Sequence, residues 1–122
     1  MSKRSEEFFG VMLNFLPSLS SEYTKSIEDN GEALETVIIE DIFMPEIIGL
    51  LKEDKNIKLL KDIFNYFEEI SECGDKYLTN ILSITVFEIL GNDKTILSVA
   101  QKYMGPIGIQ LQREADRGLG RI

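Results

Sequence analysis

Residues 77–90 read YLTNILSITVFEIL and are apolar on nearly every face of a helix. A helix of that kind is typical of the centre of a domain, where neighbouring elements cover all of its sides. The β-branched stretch 83–86 is also compatible with a strand. Because no second stretch of matching quality is available to pair with such a strand, we predict a central, buried helix.

The segment before this stretch is amphipathic. Apolar residues recur there in steps of three and four, which places them on one face of a helix: Ile57, Leu60, Phe64, Phe67 and Ile70. The chain then turns at residues 73–75, with Asp75 as the expected N-cap of the central helix. We therefore predict two consecutive helices joined by a short turn.

Prolines, glycines and short polar stretches divide the rest of the chain into further helices. The breaks are expected at Pro17, Asn30-Gly31, Pro45 (a turn or a kink), Asp54–Asn56, Gly91-Asn92 and Gly105-Pro106. A chain of 122 residues is one domain's worth. We predict a single all-α domain over residues 1–122, with about six to seven helices in a compact bundle or short solenoid, and with residues 117–122 as a frayed tail.

The composition excludes several classes of function. The chain has no histidine, which removes the commonest metal ligand and general base, and its lone cysteine, Cys73, excludes a disulfide within the chain. No glycine-rich phosphate motif follows a strand pattern. We predict that the protein is not an enzyme and uses no cofactor and no metal. The chain also lacks a long apolar span and a secretion signal, so we expect a cytoplasmic protein without membrane contact.

Negative charge is concentrated in the first part of the chain. Residues 1–72 carry 7 basic and 16 acidic side chains, whereas residues 73–122 carry 6 basic and 5 acidic ones. Such a field repels nucleic acid and attracts a basic protein. Glu28, Glu32 and Glu35 follow at helical spacing, so we expect them on one face. The predicted partner-binding residues are Tyr23, Glu28, Asp29, Glu32, Glu35, Glu40, Asp41 and Glu46.

Other acidic residues are weaker candidates. The pairs Glu40-Asp41 and Glu68-Glu69 have the chemistry for acid–base catalysis or for binding magnesium. Adjacent helical residues point about 100° apart, however, which favours a solvated helix face. Glu88, within the central helix, is expected to pair with Lys94, Arg113 or Arg117, or else to reach the surface.

Residues 86–93, VFEILGND, resemble the end of a HEAT-type repeat, in which a helix closes on Leu-Gly before a polar turn and the next helix. Here Leu90-Gly91 is the closing pair, and the resemblance covers roughly residues 57–106. It implies a short stack of paired helices.

As a class, a short, acidic, all-helical and cysteine-poor chain without catalytic groups resembles the bacterial immunity proteins of contact-dependent growth inhibition and polymorphic toxin systems. The resemblance implies a protein that binds a cognate toxin, frequently a basic nuclease, and covers its active site. It implies a monomer or weak homodimer. An adaptor that binds another basic protein and a small-ligand protein that uses its carboxylates remain the alternatives.

Overall fold

The computed structural model describes residues 3–122 and confirms the all-α prediction. About 82% of the chain is helical, and the described residues form seven helices and no strand. The helices are α1 (Lys3–Phe15), α2 (Ser20–Asn30), α3 (35–53), α4 (Ile57–Glu72), α5 (76–90), α6 (Lys94–Gln101) and α7 (Pro106–Gly118), and a 3₁₀ turn (Pro17–Leu19) precedes α2.

Helix ends follow the local signals that the sequence provides. The Asp75 carboxylate accepts a hydrogen bond from the Leu78 amide at 3.1 Å and caps α5, and Asp93 caps α6 through the Thr95 amide at 2.8 Å. Gly31 ends α2 in the left-handed region with φ 73°, a conformation that glycine adopts without steric cost. These caps and stops fix where each helix begins and ends.

Pro45 does not interrupt its helix. The segment before it, Ile39–Phe43, widens into a π-turn, in which the Met44 amide donates to the Ile39 carbonyl, and the α-helix then continues through Met44–Glu53. A proline ring inside a regular helix clashes with the carbonyl four residues earlier, and the wider turn makes room for it. The expected turn or kink at Pro45 is therefore a π-turn within one long helix.

Helix α5 also contains a π-turn, Ser83–Phe87, at the stretch that the sequence also allowed as a strand. Its inner face is buried, but Tyr77 is 52% and Ile84 43% exposed. The prediction of a helix is confirmed, whereas the expectation that it is buried all round is wrong. Among residues 3–122, no helix covers the face of α5 that carries Tyr77 and Ile84.

Helices α3 and α5 lie side by side and run in the same direction. Glu35 at the start of α3 accepts a hydrogen bond from Tyr77 at the start of α5, and the π-turns of the two helices are in contact further along. Helix α7 packs across α4 and the π-turn of α5. The largest fully buried side chains between the helices are aromatic: Phe9, Phe43, Phe64, Phe67 and Phe87.

The C-terminal tail contacts the helix ends beside it. Helix α7 continues through Gly118, and the Arg121 guanidinium donates to the Glu88 carbonyl at 2.9 Å and to Asn92. Arg121 also pairs with Asp116 at 3.2 Å. The tail that the sequence predicts to fray thus includes a side chain with three partners.

Candidate functional site

The predicted acidic residues extend along α2, the loop after it and α3. Glu28 lies on α2, Glu32 lies in the loop that follows Gly31, and Glu35 is the first residue of α3. The expectation that these three share one helix face is wrong, because the left-handed conformation of Gly31 ends α2 between them. Glu32 and Glu35 line one crevice, whereas Glu28 lines a separate depression on α2.

Six of these carboxylates are exposed and have no ion-pair partner within 4.0 Å among residues 3–122. The sequence contains no lysine or arginine between Lys25 and Lys52, and Lys25, which lines a depression together with Glu28, is the nearest basic residue before them. We call these six residues the acidic surface: Glu28, Asp29, Glu32, Glu40, Asp41 and Glu46.

Glu35 differs from the acidic surface because its carboxylate is bound within the fold. It accepts a hydrogen bond from the Tyr77 hydroxyl at 2.6 Å and another from the hydroxyl of buried Ser5. The bond to Glu35 raises the pKa of Tyr77 above its usual value, and partial burial adds to the shift. Glu35 therefore joins the starts of α1, α3 and α5.

Tyr23 lies on α2 and is half-buried. Its ring packs against Phe9 with 5.6 Å between the ring centroids. Burial, and secondarily the negative charge of Glu6, raises the pKa of the Tyr23 hydroxyl. The sequence points to Tyr23 as an exposed aromatic anchor, but the structure places much of its ring on the core.

The exposed aromatic residue beside the acidic surface is Tyr77. It lines a crevice of about 420 Å³ between the start of α3 and the start of α5. The crevice is lined by Glu32, Ala33, Leu34, Glu35, Thr36, Tyr77 and Ile81.

The carboxylates of Glu68 and Glu69 lie in different surroundings. Glu68 accepts hydrogen bonds from the Ile107 and Gly108 amides at 2.9 and 2.8 Å and so caps α7, whereas Glu69 is exposed. A Cβ at Gly105 would clash with the Glu68 carboxylate, so a side chain there would displace the group that caps α7.

Glu88 forms no ion pair with Lys94, Arg113 or Arg117 in the described part of the chain. The carboxylate that is bound within the fold near Glu88 is that of Asp116. Asp116 is 7% exposed and accepts hydrogen bonds from Gln112 and Arg121, each at 3.2 Å. A Cβ at Gly91 would lie 2.2 Å from an Asp116 oxygen. Sequence reasoning missed this cluster. Gln112, Asp116 and Arg121 are close along the chain, but the bonds of Gln112 and Arg121 to the Phe87 and Glu88 carbonyls form only where α7 packs on α5.

Catalytic and metal-binding arrangements do not stand out in residues 3–122. No group of three or more histidine, cysteine, aspartate or glutamate residues there is placed to hold a metal ion. Cys73 lies in the turn after α4, where its thiol donates to the Ile70 carbonyl. Within the same residues, no helix is both long enough and apolar enough to span a membrane.

Comparison with known proteins gives one match. Searches of curated proteins and of solved structures return no significant similarity. The model of a family described as a domain of unknown function, DUF7674, matches residues 9–117. Since that match spans most of the sequence, the chain belongs to the DUF7674 family.

Proposed function

We propose that this protein is an immunity protein that binds a cognate basic toxin domain, a nuclease, and covers its active site with the acidic surface. The observation that carries the proposal is the set of six exposed carboxylates without ion-pair partners in residues 3–122. Unpaired carboxylates add to the negative field around a protein, so a partner that supplies positive charge stabilises them.

The chemistry of the proposed partner follows from this charge. A nuclease binds the phosphates of its substrate through lysine and arginine side chains. A carboxylate-rich surface complements those side chains and competes with the nucleic acid for them. Complementary charge of this kind accelerates association, and apolar contacts at the centre of an interface slow dissociation.

To identify the partner, we compare three versions of the protein: the wild type, an acidic-surface variant and a control variant. In the acidic-surface variant, Glu28, Glu40, Asp41 and Glu46 are replaced by their amides. In the control variant, four exposed carboxylates elsewhere are replaced: Glu53, Glu69, Glu72 and Glu114. Both variants reduce the formal net charge of −8 by the same amount.

Each protein is immobilised and exposed to a lysate of its native host. We expect a basic protein that the wild type and the control variant retain at one-to-one stoichiometry and that the acidic-surface variant loses. The purified partner should cleave RNA or DNA, and an equimolar amount of the protein should abolish that cleavage. Equal retention of every protein by all three versions would contradict the proposal.

A non-catalytic adaptor that binds another basic protein is the second candidate. The crevice beside Tyr77 favours it, because an open crevice next to an exposed aromatic ring suits a short segment of a partner. The same experiment separates the two functions. A retained partner whose own activity is unchanged by the complex indicates an adaptor.

A further inference from the structure

We propose that the crevice between the starts of α3 and α5 binds an arginine side chain of the partner, with the guanidinium stacked on the Tyr77 ring. The inference rests on the proposed function, since it names the chemistry of the group that a basic partner inserts. The carrying observation is an aromatic side chain that is 52% exposed on the wall of a crevice that also contains two carboxylates.

The hydroxyl of Tyr77 fixes the ring in place. Its bond of 2.6 Å to Glu35 holds the phenol against the start of α3. The remaining exposed surface of the ring is apolar, and the adjoining apolar residues of the crevice, Leu34 and Ile81, extend it. An ordered, exposed ring loses little conformational entropy when a partner covers it, which is why tyrosine is common at binding anchors.

The charge inside the crevice favours a cation. Glu32 is exposed and has no ion-pair partner among residues 3–122, and Glu35 adds a second carboxylate. The N-terminus of α3 opposes them with about half a positive charge. Lys76 lines a different depression, with residues of α4 and α7. Arg4, next to Ser5, pairs with Asp75 at 3.6 Å, so an acidic side chain already balances its charge. The two carboxylates therefore exceed the half charge of the helix end that opposes them.

Arginine fits this combination better than lysine. Its planar guanidinium stacks on an aromatic face and forms paired hydrogen bonds with a carboxylate, whereas an ammonium group is a compact and strongly hydrated charge. The exposed face of α5 continues from Tyr77 to Ile84, which is 43% exposed. Apolar groups of the partner that flank its arginine can pack on this exposed face of α5.

The probe is a blocked tripeptide, acetyl-Gly-Arg-Gly-amide, and its control is the same peptide with citrulline, which has nearly the same shape but no charge. Each is titrated into ¹⁵N-labelled protein. We expect saturable shifts of the amides of residues 32–36 and 77–81 with the arginine peptide, and binding at least about tenfold weaker with citrulline. Equal binding of the two peptides, or shifts confined to other residues, would overturn the proposal.

Three variants test the residues of the crevice. Glu32→Gln and Tyr77→Leu should each weaken arginine binding several-fold. The Glu32 side chain lies in a loop and has no hydrogen-bond partner in the described chain, so its replacement should leave the fold intact. Tyr77→Phe keeps the ring but loses the hydroxyl bond to Glu35, so it should bind arginine more weakly than the wild type and more tightly than Tyr77→Leu. Glu53→Gln, at the far end of α3, should bind as the wild type does. If Tyr77→Leu does not fold, Glu32→Gln and the citrulline control still decide the question. Undiminished binding by Glu32→Gln would overturn the proposal.

Three outcomes separate this inference from the proposed function. If the acidic-surface variant loses a basic partner but the arginine peptide does not bind, the crevice proposal fails and the function stands. If the peptide binds at the crevice but no basic protein is recovered, the crevice proposal stands and the function fails. Concentration-dependent shifts at Tyr77 and Ile84 without any peptide would show that a second copy covers this face, and would overturn the proposal.

Discussion

The carboxylates of residues 28–46 and those of residues 54–116 differ in what they contact. In the later region, seven carboxylates accept hydrogen bonds from helix ends or from basic and polar side chains: Asp54, Asp62, Glu68, Asp75, Asp93, Glu114 and Asp116. In the earlier region only Glu35 has such partners within residues 3–122. A carboxylate bound within the fold stabilises the fold, whereas a row of unbound ones adds repulsion that only a partner relieves.

The largest effect on stability is expected from Asp116→Ala. The Gln112 amide and the Arg121 guanidinium both donate to the Asp116 carboxylate, and the substitution removes that shared acceptor. We therefore expect a loss of about 2–4 kcal/mol in the free energy of unfolding. Urea denaturation followed by circular dichroism measures it. Glu114→Ala, an exposed position on the same helix, should change the stability by less than about 0.5 kcal/mol. Equal effects of the two substitutions would contradict the assignment of Asp116 as a bound charge.

A smaller loss is expected from Glu68→Ala. The Ile107 and Gly108 amides lose their acceptor at the start of α7, and loss of a helix cap typically costs about 0.5–2 kcal/mol. The matched control is Glu69→Ala, the exposed neighbour, which should be close to neutral. Hydrogen exchange of the first amides of α7 should increase in Glu68→Ala only. Unchanged exchange there would remove the capping role.

The sequence predicts the helix ends correctly where the signals are local. Asp75 and Asp93 cap helices within their own next turn, and Gly31 ends α2 at the predicted position. The contacts that sequence reasoning missed join distant residues. Glu68 caps a helix that begins about 40 residues later, and Glu35 meets Tyr77 only because α3 and α5 run side by side.

The π-turns show the same limit. The turn at Ile39–Phe43 follows from Pro45, which the sequence displays, but the wider helical turn that accommodates a proline cannot be distinguished from a kink by periodicity. The exposure of Tyr77 and Ile84 depends on which faces of α5 its neighbours leave uncovered. The sequence of an apolar helix alone does not show which of its faces other helices cover.

A still smaller, pH-dependent effect is expected at Asp54. Hydrogen bonds from Lys102 and Tyr103 hold the pKa of this carboxyl below its usual value of 3.8. A lowered pKa in the folded state stabilises the fold above the unfolded pKa, and that contribution disappears as the pH falls through the folded value.

The variant Asp54→Asn tests this effect and keeps a residue that tolerates the positive φ of 48°. It should be less stable than the wild type near pH 7, and the difference should shrink below about pH 4. Thermal unfolding at a series of pH values measures it. A difference that stays constant between pH 7 and pH 2 would exclude the ion pair as its source.

The smallest effect on stability is expected for the acidic-surface variant. Its four replaced side chains are exposed and have no ion-pair partners in residues 3–122, so its free energy of unfolding should stay within about 0.5 kcal/mol of the wild type for each substitution or rise as repulsion is relieved. Urea denaturation at low and high salt checks this. A large loss would show that these carboxylates are bound within the fold after all.

The measurement that tests the central claim most directly is the association rate constant with the recovered basic partner, determined at low and at physiological salt. The wild type and the control variant should associate fast at low salt and slow down steeply as salt is added, whereas the acidic-surface variant should associate slowly and depend little on salt. The two variants carry the same formal charge. A difference between their association rate constants therefore shows that the position of the replaced carboxylates matters. If both variants slow association equally, only net charge matters, and the acidic surface is not the interface.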